Sequence, residues 1–267
     1  MKIGCCLNMV ATGADGTGIE RLETIAKLGY DYVELPLAEM AALSEEQFEE
    51  IKKQVAQSGL SCETCNNFFP GTIRLTGPDV NMDQVLAYVE KALGRAEELG
   101  VQYVVFGSGK AKGVPEGFSM EEGYQQVVEL LRQVSPVAGK HGITIVIEPL
   151  RKPECNLINT FAEGCKLKKD AGVPHVEVLV DFYHMAVEQE PVSHLLEQGK
   201  ENLRHVHFAN PTGRVYPKDE GEADYKPFFD ALKAIGYEER ISCEAYAKDF
   251  EAEAREALAF FRRNCAK

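Results

Sequence analysis

Six times along this chain an amphipathic helical pattern ends in a glycine, and a β-branched or aromatic run begins a few residues later. Gly29 precedes Tyr32-Val33-Glu34, Gly59 precedes Cys62, Gly100 precedes Tyr103-Val104-Val105-Phe106, Gly142 precedes Ile145-Val146-Ile147, and Gly172 and Gly236 continue the series. Each glycine stands where the residue after a helix needs left-handed backbone angles, so the junction reads as helix stop, short loop, strand start. With a first strand at about residues 2–8 and a seventh at 204–210, the chain has eight strands, each followed by a helical stretch. Strict alternation of strand and helix over 267 residues demands parallel strands joined by right-handed crossovers, and eight such units close a barrel. The expected fold is α/β, a (β/α)8 TIM barrel forming a single domain over residues 1–267. An open doubly wound sheet would carry a glycine-rich phosphate loop after its first strand, and Gly13, Gly16 and Gly18 do not fit that spacing.

Composition narrows the function classes. A net charge of −13 repels phosphodiester backbones and anionic bilayers, since both need a cationic surface to bind. No run approaches the roughly 18 consecutive apolar residues of a membrane span, and the first residues lack the features of a signal peptide. A soluble, cytoplasmic protein with neither nucleic acid nor membrane as partner is expected. The eight cysteines are scattered, as reduced thiols would be. Cys62 and Cys65 form a C-x-x-C without a second pair, in a strand where residues three apart are expected to face opposite ways.

The longest irregular segments, residues 70–78, 109–118, 151–159 and 210–223, all follow strand ends, where barrel active sites are built. Four late strands each deliver a polar residue to that rim. Thr144-Ile145-Val146-Ile147 runs into Glu148, Val178-Leu179-Val180 into Asp181, Arg204-His205-Val206 into His207, and Ile241-Ser242-Cys243 into Glu244. The separations of 33, 26 and 37 residues each correspond to one strand–helix unit, so the four come from adjacent strands and converge. Three carboxylates and one imidazole make a ligand set for one divalent ion, Mn²⁺ foremost, with Mg²⁺ or Co²⁺ as alternatives. Without a cation, three acids crowded in one mouth would repel strongly. His184 lies one turn past Asp181, Glu154 lies in the loop after Glu148, and Arg214 in the loop after His207. His205 is read as an interior packing residue, and Glu34, at the end of the second strand, as an ion-pair residue.

These residues resemble the xylose isomerase-like barrel superfamily, and within it the ketose 3-epimerases that act on tagatose, psicose (allulose) or ribulose. The carriers are Ile147-Glu148-Pro149-Leu150, Val180-Asp181-Phe182-Tyr183-His184-Met185, His205-Val206-His207-Phe208, Gly221-Glu222-Ala223-Asp224-Tyr225 and Ile241-Ser242-Cys243-Glu244. The resemblance implies that Glu148, Asp181, His207 and Glu244 bind the metal, that Glu148 and Glu244 also carry protons, and that Glu154, His184 and Arg214 hold substrate oxygens. It also implies pairing into homodimers or homotetramers. Several members line the pocket with a tryptophan after strand 4; here that segment reads Phe106-Gly107-Ser108-Gly109, and the chain contains no tryptophan.

The implied activity is a metal-dependent sugar epimerase that inverts C3 of a free ketohexose or ketopentose through a cis-enediolate. One of Glu148 and Glu244 would remove the C3 proton and the other return it to the opposite face. The same site could instead serve another sugar or polyol isomerase, a sugar-phosphate epimerase or an inosose dehydratase. The superfamily's endonuclease branch needs additional histidines and a DNA-binding surface, which six histidines and a −13 charge do not supply. A non-catalytic sugar-binding barrel is the reading from a different class, and it has no use for two opposed carboxylates.

Overall fold

The computed structural model describes residues 1–265, in which eight parallel strands close on one another in chain order. They are β1 (Lys2–Cys6), β2 (Tyr32–Pro36), β3 (Ser61–Asn66), β4 (Tyr103–Phe106), β5 (Thr144–Ile147), β6 (Val176–Asp181), β7 (Leu203–Phe208) and β8 (Arg240–Cys243). Pairing of β1 with β8 completes the ring. Around it run α1 (Leu22–Leu28), α2 (Leu37–Ala42), α3 (Glu45–Ser58), α4 (Met82–Glu98), α5 (Gly109–Lys112) and α6 (Met120–Lys140), followed by α7 (Phe161–Ala171), α8 (Phe182–Val187), α9 (Ser193–Asn202), α10 (Lys226–Ala234) and α11 (Phe250–Asn264). This is the barrel the repeat demands; residues 266 and 267 of the expected domain lie outside the described residues. No helix among the described residues is long and apolar enough to cross a membrane.

Local chemistry sets the repeat. The six junction glycines all adopt positive φ, from 62° at Gly172 to 91° at Gly29. At the other end of the unit, Ser44 caps α3 through a box with Gln47: the Gln47 N–H donates to Ser44 Oγ and the Ser44 N–H donates to Gln47 Oε1. Phe48, Ile51 and Val55 then bury one stripe of that helix against the barrel wall.

Side chains alternate across each strand, so every second residue enters the barrel. Inside, Tyr32 fills the space over Gly4, where a Cβ would lie 2.2 Å from the Tyr32 ring. Near the bottom, Glu63 meets Lys2 Nζ at 2.5 Å and Arg240 Nη2 at 2.9 Å. The β2–β3 register shifts between Val33 and Glu34, which face Cys62 and Thr64, so Glu63 is the extra residue of a bulge. That bulge corrects the expectation for the C-x-x-C pair. Glu63 meets Lys2 and Arg240 while the neighbouring Thr64 donates to Glu34, so both turn inward and Cys62 and Cys65 share the outer, helix-facing side. Both thiols are buried in the main apolar core, and burial, with Cys62 close by, pushes the Cys65 thiol well up.

One helix–helix tie bears on the mouth. The β2 strand runs directly into α2, whose last carbonyls face α4. Arg95 on α4 is buried and donates Nη1 to the carbonyls of Met40 at 2.5 Å and Leu43 at 3.0 Å, while its guanidinium stacks 4.8 Å over the Phe48 ring. Replacing it removes the side-chain donor from both carbonyls, leaving Met40 only the Leu43 N–H, and opens a void beside Phe48. Arg95→Ala is expected to lower unfolding stability by about 2–4 kcal/mol, read as a lower urea midpoint at unchanged slope. A midpoint within experimental scatter of the wild type would show that α2 needs no such tie.

Candidate metal centre

Strand alternation carries four side chains to one place. Glu148 directly follows β5, Asp181 ends β6, His207 lies next to last in β7, and Glu244 directly follows β8. All four are buried, and ligand atoms from each lie within 4.8 Å of one another. His207 Nδ1 stands 3.0 Å from Glu148 Oε1 and 3.3 Å from Glu244 Oε2. The structure thus brings together the whole quartet read from the strand ends.

Behind the quartet sits Glu34, fully buried and more than the ion-pair residue expected of it. Its Oε1 accepts from His207 Nε2 at 2.9 Å, and its Oε2 accepts from His205 Nε2 at 2.9 Å, Thr64 Oγ1 at 2.7 Å and Ser242 Oγ at 2.6 Å. Burial alone would raise the Glu34 carboxyl, but His207 and His205 hold it well below the usual carboxylate range. An ionised carboxylate only accepts, so both imidazoles must present Nε2–H to it. Against its burial, the charges of Glu34 and Glu244 raise the His207 pKa well above its usual value, so Nδ1, turned toward Glu148 and Glu244, holds a proton that a metal would displace. His205 is the interior residue expected, facing Glu34 and not the mouth.

The charge balance of this cluster tests whether a cation fits. Burial pushes Asp181 up to about 7, against the pull of Arg214, and raises the Glu148 carboxyl too. Glu244 moves the other way: burial opposes its ionisation, but Arg214 and His207 hold it well below the ordinary range. Arg214 brings a guanidinium to the cluster, its Nη2 lying 2.5 Å from Glu244 Oε2 and 3.4 Å from Asp181 Oδ2. With Glu34 included, four buried carboxylates face two positive groups, Arg214 and His207, which leaves a deficit that a divalent ion would offset, and three oxygens with one imidazole nitrogen suit Mn²⁺, Mg²⁺ or Co²⁺. A second grouping, Cys6, Glu34 and His207, is a poorer fit. There His207 Nε2 is already committed to Glu34, and burial followed by the Glu34 charge pushes the Cys6 thiol far from ionisation.

The three expected substrate contacts line the cavity above the cluster. His184 is buried, and its Nδ1 accepts from the Arg151 N–H at 3.3 Å, so Nε2 carries the proton; that Nε2 has no hydrogen-bond partner. Burial, then Arg214, pushes its pKa down to about 3, which keeps the ring neutral. Glu154 Oε1 accepts from Arg151 Nε at 2.6 Å and lies 3.7 Å from Arg214 Nη1. Arg214 stacks 4.8 Å over the Tyr183 ring.

Two contributors escaped the sequence reading. Asn66, at the end of β3, donates Nδ2 to Glu244 Oε1 at 2.9 Å and to Asn8 Oδ1 at 2.9 Å. Its position at a strand end, like that of the quartet, was the available signal. Lys112, fully buried, donates Nζ to the Glu148 carbonyl at 3.2 Å and lies 5.1 Å over the Phe106 ring, so it pins the backbone that carries Glu148. Nothing in the sequence distinguishes it from the neighbouring exposed Lys110.

The profile of the xylose isomerase-like TIM barrel family matches residues 22–264. Among curated relatives, a 3-dehydro-D-guloside 4-epimerase of Escherichia coli K12 is 26% identical over 263 residues, covering 91% of this chain and 94% of its own length. An L-ribulose 3-epimerase of Methylomonas sp. DH-1 is 28% identical over 234 residues, covering 84% of this chain and 77% of its own. The crystal structure of a D-psicose 3-epimerase in the presence of D-fructose superimposes with a TM-score of 0.87 over the full length of both chains at 22% identity, a likeness of fold. A profile match over nearly the whole barrel, joined to a buried quartet at its strand ends, settles the family: the chain belongs to the xylose isomerase-like TIM barrels.

Proposed function

We propose that this chain is a divalent-metal sugar epimerase that inverts the hydroxyl-bearing carbon next to a ketone, C3 in the case of a free ketose. Relatives named for 3-epimerisation of a ketose and for 4-epimerisation of a 3-dehydro sugar share that chemistry, since in both the inverted carbon adjoins the carbonyl. The observation that carries the reading is the approach of two carboxylates to one point from different flanks. Glu148 arrives from β5 and Glu244 from β8, and both come within 3.3 Å of His207 Nδ1, on the intervening β7.

A divalent ion held by Glu148, Asp181, His207 and Glu244 would polarise the carbonyl and offset the negative charge that develops as the adjacent C–H bond ionises. The remaining work falls to the side chains. Glu244, kept ionised by Arg214 and His207 against its burial, takes the proton from one face of the carbon. Glu148, whose burial favours the protonated form, returns one to the opposite face. The roles exchange for the other epimer. Asn66 holds Glu244 Oε1, so that Oε2 faces the substrate once Arg214 passes its N–H bonds to a substrate oxygen. The partnerless Nε2–H of His184 donates to the ketone-side oxygens, and Glu154 accepts from a hydroxyl.

Incubation with a ketohexose in heavy water is expected to place deuterium at C3, and a chelator is expected to abolish it. Label at C1 alone would indicate aldose–ketose isomerisation instead and sink the C3 assignment. Glu244→Gln should lower kcat by roughly 10²–10⁴-fold with the fold intact by circular dichroism. Unchanged turnover would remove Glu244 from proton transfer. For the supporting shell, Glu34→Gln is expected to weaken Mn²⁺ binding by about 10–100-fold in calorimetry, because the amide no longer enforces one His207 tautomer. Wild-type affinity in that variant would contradict the orienting role.

A further inference from the structure

The cavity above the quartet is larger than a single ketose requires. Its volume is about 870 Å³. Pockets of roughly 300–1,000 Å³ take ligands of drug size, and a free ketohexose, with about a dozen non-hydrogen atoms, falls well short of that. The surplus lies on one side. Glu148, Leu150, Glu154, His184, Arg214 and Glu244 come from the β5–β8 half, whereas the rest of the lining comes from the loops after β1, β3 and β4 and from the α2–α3 segment.

That second region has a definite chemistry. Asp15, Glu39, Gln47 and Lys110 line it, together with the small Ala38 and Ala42 and the larger Met9 and Phe69. Gln47 Oε1 is occupied by the Ser44 N–H at 2.9 Å, which leaves its amide donors for the cavity. Asp15 Oδ1 is occupied by the N–H and hydroxyl of Thr17, both at 2.9 Å, which leaves Oδ2 to accept. Donors and acceptors beside apolar surface match a ring bearing hydroxyls. Two carboxylates against one ammonium oppose a phosphate. The wall after β4 contributes Gly107, Ser108 and Gly109, none of which carries a large side chain, and the chain contains no tryptophan.

Resting on the epimerase reading above, we infer that the substrate is a two-ring sugar ketone. The unit bearing the ketone lies over Glu148 and Glu244, and a second, uncharged sugar ring sits between Asp15, Glu39, Gln47 and Lys110. Two chemical sources share this shape: a disaccharide ending in a ketose that can open, and a glycoside whose locked ring carries the ketone. The test measures deuterium uptake next to the carbonyl in heavy water with D-fructose, isomaltulose and 3-keto-trehalose, using the Mn²⁺-loaded protein. At least one two-ring ketone is expected to exceed D-fructose in kcat/KM by roughly tenfold, and which one does so identifies the source. Ala42→Trp, which fills the outer region, is expected to reduce that ratio toward one. The two-ring assignment is overturned if D-fructose matches or exceeds both, or if the ratio is unmoved by Ala42→Trp; D-fructose exchange then leaves the epimerase reading standing. Exchange with none of the three overturns that reading, and this inference with it.

Discussion

The centre of this barrel depends on one buried carboxylate that never reaches the cavity. Glu34 accepts from His205, His207, Thr64 and Ser242, donors supplied by β7, β3 and β8, so it ties three strands to its own. Tyr32, also from β2, extends the network by hydrogen bonding Ser242 at 2.7 Å. Since a carboxylate offers no hydrogen, the protonation of every partner is dictated. Ser242 and Thr64 donate, both imidazoles donate through Nε2, and Nδ1 of His207 is the nitrogen turned toward Glu148 and Glu244. A buried charge is costly unless paired and hydrogen-bonded, and Glu34 satisfies both conditions while orienting the one nitrogen of the quartet.

Above that layer the electrostatics are unbalanced, and Arg214 is the residue that carries the imbalance. Its guanidinium touches Glu244 and Asp181 and lies over Tyr183, yet its own Nε is buried without a partner. Its backbone is left-handed at φ 51°, held there by Val215 bridging to Asn210 and to Tyr246 and by the Tyr246 N–H donating to the Arg214 carbonyl at 2.8 Å. A non-glycine residue in that region is strained, and strain kept at a functional rim is consistent with a side chain that must point inward from a short hairpin. Arg214 therefore supplies positive charge where three buried carboxylates would otherwise be driven toward protonation, as Asp181 and Glu148 already are.

How much of this was legible in the sequence follows the range of the interactions. The junction glycines act locally, and all six adopt the backbone angles that the repeat demands. The quartet was legible because one polar residue at each of four successive strand ends needs only the two-residue strand period and the order of the strands to be placed together. Glu34 and Asn66 obey the same rule, but they come from β2 and β3, and their meeting with β7 and β8 depends on how the ring closes. Cys62 and Cys65 defeated the period itself, since the bulge at Glu63 inserts a residue and returns both thiols to one side. Lys112 was hidden because burial of a lysine is decided by tertiary packing, here against Phe106 and the Glu148 carbonyl.

The quartet and the outer wall of the cavity occupy different halves of the mouth, and Gly107 is where they meet. A Cβ at that position would lie 2.2 Å from Glu148 Oε2, so only glycine lets the carboxylate occupy its place. Gly109 is constrained in the same way, by the Glu154 carbonyl at 2.6 Å. Side chains cannot be added to these two positions after β4 to reshape the cavity without displacing Glu148 or the loop that carries Glu154. The walls formed by α2 and α3 are freer, because no hydrogen bond or ion pair among the described residues joins Ala38, Ala42 or Gln47 to the quartet, whereas Asn8, after β1, is tied to Glu244 through Asn66. The cavity can thus change size on the α2–α3 side with Glu148 and Glu244 undisturbed, and the small-residue wall after β4 is a consequence of making room for Glu148.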